Sequence, residues 1–299
     1  MTETIEARGL VSGFSWPECP RWHNGHCYFT DMFSGRILEL DTTGNPGTYA
    51  DLTVRVPLRG RTVVAAGTGF LPDGRLLIVS MFEQTVLSFD GSELRLHADL
   101  SELATGPVND MVVDAHGRAY ITQLGSDIFV GEHPRDSHVL VVEPDGYAHI
   151  AQESGLLAGA NGIAISADGR TLITAETYAD RIIAYDLDTD GKLGAGRIFA
   201  EGVGYPDGIC LDEEGAVWAC AAARVGAVRV LEGGKITHEV HPPYAEAGLS
   251  VACCLGGPDR RTLYIACGFE VNDFDKSVRE AKGSIWIAPA PVAGGACRP

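Results

Sequence analysis

The chain has 299 residues, with 23 Lys and Arg against 40 Asp and Glu, a formal net charge of −17 and a sequence pI of about 4.8. That balance argues against a nucleic-acid partner, because phosphate binding needs a basic patch that releases counterions. Hydrophobic residues make up 45% and charged residues 21%, as in folded globular chains, and no apolar run approaches the roughly 18 residues of a membrane span, so no membrane partner is expected.

The opening Met1-Thr2-Glu3-Thr4-Ile5-Glu6 lacks the basic and apolar regions of a signal peptide, which points to a cytoplasmic protein. In that compartment the eight cysteines, none in a C-x-x-C pair, are read as reduced thiols packed like small apolar residues. An early strand around Thr4 to Val11 is expected to complete the last repeat of the chain and so close a ring.

From there a turn followed by a β-rich apolar run recurs six times. In chain order the pairs are His23-Asn24-Gly25 with HCYFTD, Pro72-Asp73-Gly74 with RLLIVS, and Ala115-His116-Gly117 with RAYITQ. They continue with Ala167-Asp168-Gly169 and RTLITAE, Glu213-Glu214-Gly215 and AVWACA, and Asp259-Arg260-Arg261 and TLYIACG. Successive turn glycines at 25, 74, 117, 169 and 215 are 49, 43, 52 and 46 residues apart. Further short strands flank each run (GIAIS and MVVDA before the turn, IIAYDLD, VLVVEP and AVRVL after it), and helical periodicity is confined to short stretches near 99–104 and 274–281. A period of this length with four strands per unit predicts an all-β fold, a six-bladed β-propeller of four-stranded antiparallel blades, with residues 1–299 forming one domain.

Counting back from the turn glycines aligns four polar residues: Glu18 lies seven positions before Gly25, and Asn109, Asn161 and Asp207 lie eight before Gly117, Gly169 and Gly215. The equivalent places in repeats two and six fall at Ala66 or Gly67 and near Cys253. These positions begin the innermost strand of each blade, so the four side chains are expected to converge at one end of the central channel. Two carboxylates and two amide oxygens suit one hard divalent cation, calcium first, with Mg²⁺, Mn²⁺ and Zn²⁺ open. Asn-Gly and Asp-Gly are also turn-forming dipeptides, but turn chemistry gives no reason for Glu18 to share their register.

The motifs around these residues resemble the senescence marker protein (regucalcin) and gluconolactonase family over nearly the whole chain. Trp16-Pro17-Glu18-Cys19-Pro20-Arg21-Trp22 is similar to the family's opening P-E-[GS]-P-x-W, and Gly69-Phe70-Leu71-Pro72-Asp73-Gly74-Arg75 to its G-F-L-P-D-G-R turn. Asn109-Asp110-Met111-Val112-Val113-Asp114, Asn161-Gly162-Ile163-Ala164 and Pro206-Asp207-Gly208-Ile209 match its N-D-M-V-V-D, N-G-[MI]-A and P-D-G-[IML] motifs. The resemblance implies a six-bladed propeller that hydrolyses a small-molecule lactone with one catalytic cation. It implies Glu18, Asn161 and Asp207 as metal ligands, Asp207 also as the candidate general base, and Asn109 as a substrate contact that in related propellers also coordinates the metal. A related metal-dependent esterase or phosphotriesterase acting on an ester, and a non-catalytic calcium-binding protein, are the alternatives.

Three departures bear on the substrate. Pro107 stands where sugar-lactone enzymes of the family often carry Arg, Val63 to Ala66 is apolar where the family has R-P-[SG]-G, and Cys19 stands beside Glu18 where Gly or Ser is common. The wall beside Asn109 is therefore expected to be apolar and to favour a lactone with few hydroxyls. The stretch from Thr53 to Ala66 holds Arg55, Arg59 and Arg61, which could fold over the mouth and supply the lost cation to substrate. Insertions near Gly125 to His138 and Phe269 to Gly283 are expected at the rim. A nearby cation would lower the pKa of the Cys19 thiol. Nothing in the sequence sets the oligomeric state.

Overall fold

A computed structural model describes residues 2–41, 43–58, 63–224 and 226–298. Its strands form six antiparallel four-stranded blades around a central channel, one blade for each turn-and-run repeat. The innermost strands are Pro17–His23, Ala65–Phe70, Val108–Val113, Ala160–Ile165, Pro206–Leu211 and Leu249–Gly256, in blades 1 to 6. Each pairs with the strand that follows its turn, which accounts for the repeat period in the sequence. In blade 1 that turn has both central residues left-handed, Asn24 at φ 48° and Gly25 at φ 87°, the geometry of a two-residue hairpin loop that follows strand twist.

Ring closure differs from the expectation in one respect. Arg8–Phe14 forms the outer strand of blade 6, antiparallel to Gly283–Pro289, as anticipated. The residues before it do not join that blade: Glu3–Ile5 runs parallel to Ile236–Val240 and adds a fifth strand to blade 5. Of the two helical stretches, Phe274–Glu280 is a helix capped by the Asp273 side chain, whereas residues 101–103 form only a hydrogen-bonded turn. A short helix, Tyr244–Ala247, precedes the inner strand of blade 6.

The core lies between blades. Phe29, Leu77, Val79, Met111 and Ile121 pack blades 1 to 3 together, and Cys210, Trp218, Cys253, Leu263 and Ile265 pack blade 5 on blade 6. All eight cysteines are free and buried, in keeping with their reading as small apolar residues. Among the described residues, no helix is long and apolar enough to cross a membrane.

Candidate functional site

The inner strands carry a shared irregularity that builds the site. Two residues oppose one across the ladder at Ala66–Gly67 in blade 2, Asn109–Asp110 in blade 3, Asn161–Gly162 in blade 4 and Asp207–Gly208 in blade 5. Such bulges re-aim side chains next to functional sites. In blade 1 Glu18 still pairs with Thr30 and the bulge falls one step later, at Cys19–Pro20, with Cys19 at φ 48°. The blade 6 equivalent is Ser250–Val251 opposite Cys267, not Cys253 as the residue count suggested, because the ladder shifts after Ser250.

Glu18, just before its bulge, and Asn109, Asn161 and Asp207, within theirs, are each the half-buried second residue of a strand whose neighbouring positions are buried. All four line one cavity of about 230 Å³ at the channel mouth. Asn109 Nδ2 donates to Asn161 Oδ1 at 2.8 Å. The backbone beneath is tied across blades: Thr122 Oγ1 donates to the Asn161 carbonyl at 2.7 Å and Thr177 Oγ1 to the Pro206 carbonyl at 2.8 Å. These bonds fix the inner strands of blades 4 and 5 to their neighbours and hold the site rigid.

The site concentrates negative charge. Burial, and then the charge of Asp207, push the Glu18 carboxyl well above the usual range, although the Cys19 N–H bonds it at 3.0 Å and favours the ionised form. Burial and the charge of Asp110 raise Asp207 to about 7, opposed by a hydrogen bond with Asn161. Below them the buried Arg21 is engaged: it bonds Asp110 Oδ1 at 2.5 Å, and the Thr68, Pro20 and Met111 carbonyls at 2.9, 2.9 and 2.8 Å. Carboxylates forced together in this way are stabilised by a shared cation. Two carboxylate and two amide oxygen donors fit a hard divalent ion with room for waters. Among the described residues no three His, Cys, Asp or Glu are grouped to hold a metal; the candidate set is half amide, so only the strand register marks it.

Other expected residues lie elsewhere. Arg55 does not line the cavity; its guanidinium is paired with the buried Glu83, Nη1 to Oε1 at 3.1 Å, on the outer side of blade 2. Arg59 and Arg61 fall outside the described residues. Pro107 is buried and faces a different depression with Gln84 and Thr105, and Val63 to Ala66 do not reach the cavity either. Cys19 is buried against Glu18, and burial raises its thiol well above the ordinary value.

The wall is nevertheless apolar, through residues the sequence did not single out: Trp16, Met32 and Phe33 from blade 1, Met81 from blade 2, and Leu124 from blade 3. Both rim insertions contribute, with Ile128 and Phe129 from one and Val271 and Asn272 from the other. Phe274 locks this rim, stacked on Phe33 with centroids 4.2 Å apart and set edge-on to Phe129 at 5.5 Å. Thr177 and Tyr178 complete the lining; Tyr178 packs so closely on Gly159 that a Cβ there would lie 2.4 Å from its ring. Their only sequence signal is their place directly after the second strand of blade 4.

A six-bladed propeller with a carboxylate and amide cluster at one channel mouth is the class that fold and site define. The sequence profile of the SMP-30/Gluconolactonase/LRE-like region matches residues 16–268, and the chain belongs to that family. It is 27% identical to regucalcin of Xenopus laevis over 295 residues, 93% of this chain and 94% of that one. The fold is shared with a calcium-binding protein, regucalcin, of Agrobacterium tumefaciens at a TM-score of 0.77 and 19% identity, covering 99% and 97% of the two chains. It is also shared with a gluconolactonase of Xanthomonas campestris at 0.72 and 21%, covering 95% and 90%.

Proposed function

We propose that this protein hydrolyses the ring ester of an apolar lactone at the channel mouth, using one divalent cation, calcium first, held by Glu18, Asn161 and Asp207. The observation that carries this reading is the convergence of two carboxylates and two amides from four blades on one small cavity with an otherwise apolar wall. When bound, the cation would polarise the lactone carbonyl and offset the negative charge that develops as water adds.

This chain's own groups do the rest. Asp207 is the base: its carboxylate takes a proton from the attacking water and returns it to the ring oxygen as the C–O bond breaks. Glu18, held by the Cys19 N–H, stays a ligand. Asn109 orients Asn161 through its amide and presents its remaining polar atoms to substrate or cation. Trp16, Phe33 and Phe129 exclude water and seat an alkyl or aryl substituent; a sugar hydroxyl held against the Phe33 and Phe129 rings has no partner there and would cost about 1–3 kcal/mol if buried unpaired.

The test is hydrolysis of a lactone panel before and after chelation with EDTA. An aliphatic or aryl lactone is expected to turn over faster than a hydroxylated aldonolactone, and chelation is expected to abolish both rates. Undiminished turnover without metal would overturn the reading. Aryl esters or organophosphates far outpacing every lactone would assign an esterase or phosphotriesterase. Calcium binding with no turnover would assign a binding protein.

A further inference from the structure

The central channel has a second mouth. The inner strands of blades 1 and 3 leave the first mouth at Glu18 and Asn109, and with that of blade 2 they end at another cavity, of about 370 Å³, lined by Trp22, His23, Phe70 and Val113. Its remaining wall is Arg260, from the turn of blade 6, and the chain from Ala296 to Arg298. That chain is fastened across the channel: Arg298 and Ile165 exchange both backbone hydrogen bonds, at 2.7 and 2.9 Å, and Cys297 Sγ donates to the Asp212 carbonyl at 3.4 Å.

In a protein of net charge −17, the described residues lining this cavity include three arginines and no carboxylate side chain. Arg21 is neutralised by Asp110. The other two have no ion-pair partner among the described residues. Arg260 reaches only the Cys297 carbonyl, at 3.5 Å, and its Nε is buried without a hydrogen bond. Arg298 spends Nη1 on the neutral carbonyls of Val113 and Asp114, at 3.1 and 3.3 Å. Thr68 lines the same cavity, fully buried, with a hydroxyl that has no partner. On one side His23 lies flat on Phe70, centroids 3.8 Å apart at 7°. A buried guanidinium nitrogen and a buried hydroxyl left without partners are costly, and a negatively charged acceptor is the partner that suits each.

We propose that this far mouth is a binding site for a small oxyanion, a phosphate or carboxylate group. Arg260 and Arg298 supply the charge, Thr68 donates its hydroxyl, and the His23–Phe70 stack forms an apolar flank for whatever carries the group. The site is separate from the carboxylate cluster, because the Arg21–Asp110 pair stands between the two mouths.

Isothermal titration of the full chain with inorganic phosphate and with benzoate, each at low salt against chloride of matched ionic strength, tests it. Saturable 1:1 binding of one or both is expected, weakened about tenfold or more in Arg260→Gln and in Arg298→Gln, the loss typical of one charge-assisted hydrogen bond. Thr68→Val, which removes only an unpartnered hydroxyl and should fold at least as well, is expected to weaken binding several-fold. Phosphate alone binding assigns a phosphate ligand, and benzoate alone an organic carboxylate. No saturable binding of either anion, or the same affinity in Arg298→Gln and Thr68→Val as in the parent, would overturn the proposal.

Discussion

Replacing Gly162 by alanine disturbs the candidate site without touching any of its polar side-chain atoms. Gly162 follows Asn161 in the blade 4 bulge, and a Cβ there would lie 2.5 Å from the Asp207 carbonyl oxygen, 2.5 Å from the Ile209 nitrogen and 2.8 Å from Gly208 Cα. Ordinary contacts begin at 3.4 Å, and all three atoms are backbone, so no side chain can swing aside. The inner strands of blades 4 and 5 must part by about 0.9 Å, an overpacking cost of about 1–3 kcal/mol and a fall in Tm of about 2–8 °C. The same displacement separates Asn161 from Asp207. Calcium holds its oxygens within about 2.3–2.6 Å, so the cluster should lose a ligand and calcium affinity should fall at least about tenfold. Turnover should fall further, since a misplacement of about 1 Å costs on the order of a hundredfold. Calorimetric titration with calcium, a thermal melt and lactone kinetics measure the three effects. Gly47→Ala is the control, because a Cβ there meets nothing within 4 Å. A Gly162→Ala protein that matched the control in melting and in calcium affinity would refute both the steric argument and the assignment of Asn161 and Asp207 to one cation.

Asp207→Asn is expected to keep the fold, weaken calcium binding and lower kcat by at least about a thousandfold, because it removes both an anionic ligand and the base; single-turnover kinetics at saturating calcium would check this. Calcium affinity should depend on pH. With Asp207 raised to about 7 and Glu18 raised as well in the metal-free protein, affinity is expected to fall as pH drops below 7, as the ion must displace protons from its ligands. The linked stability has the matching sign: a raised carboxyl stabilises the metal-free fold at low pH and loses that contribution as pH rises through 7, so added calcium should raise Tm more at pH 8 than at pH 5. Asp110→Asn strands the buried Arg21 guanidinium, at a cost of about 3–5 kcal/mol, and the double variant Arg21→Met/Asp110→Leu should recover most of the lost Tm. Phe129→Ala is expected to raise KM about tenfold for an aryl-substituted lactone and to leave a small unsubstituted lactone nearly unchanged, measured as a ratio within one preparation.

The parts of this molecule that were legible in its sequence are those governed by short-range repetition. Turn residues and apolar runs recur once per blade, so the period was readable, and the polar residue stands eight positions before the turn glycine in three blades and seven in blade 1, so the convergence of Glu18, Asn109, Asn161 and Asp207 could be counted out. The glycines after Asn161 and Asp207 looked like turn residues. They lie inside strands, and what they serve is the close approach of one inner strand to the next, as the contacts of Gly162 and Gly208 show. What lay beyond counting was which loops reach over the mouth. Pro107 is adjacent in sequence to the Asn109 strand yet faces away, while Phe33, Phe129 and Val271 arrive from three distant connections. The partner of Arg55 was hidden for the same reason: Glu83 is 28 residues away, in the next blade.

The division of the first strands between two blades has a consequence for the order in which the molecule can be made. Among the described residues, Glu3–Ile5 pairs only with Ile236–Val240, and Arg8–Phe14 only with Gly283–Pro289. On a ribosome adding about 5–20 residues per second, the opening segment emerges roughly a quarter of a minute to a minute before its partners exist. Throughout that interval it is a β-prone strand with open edges, and blades 1 to 4 assemble without it. Once blades 5 and 6 appear, the two residues Glu6 and Ala7 carry the segment from the edge of one to the edge of the other. A single short stretch then staples neighbouring blades at the seam, and the ring cannot spring open there without releasing both pairings together.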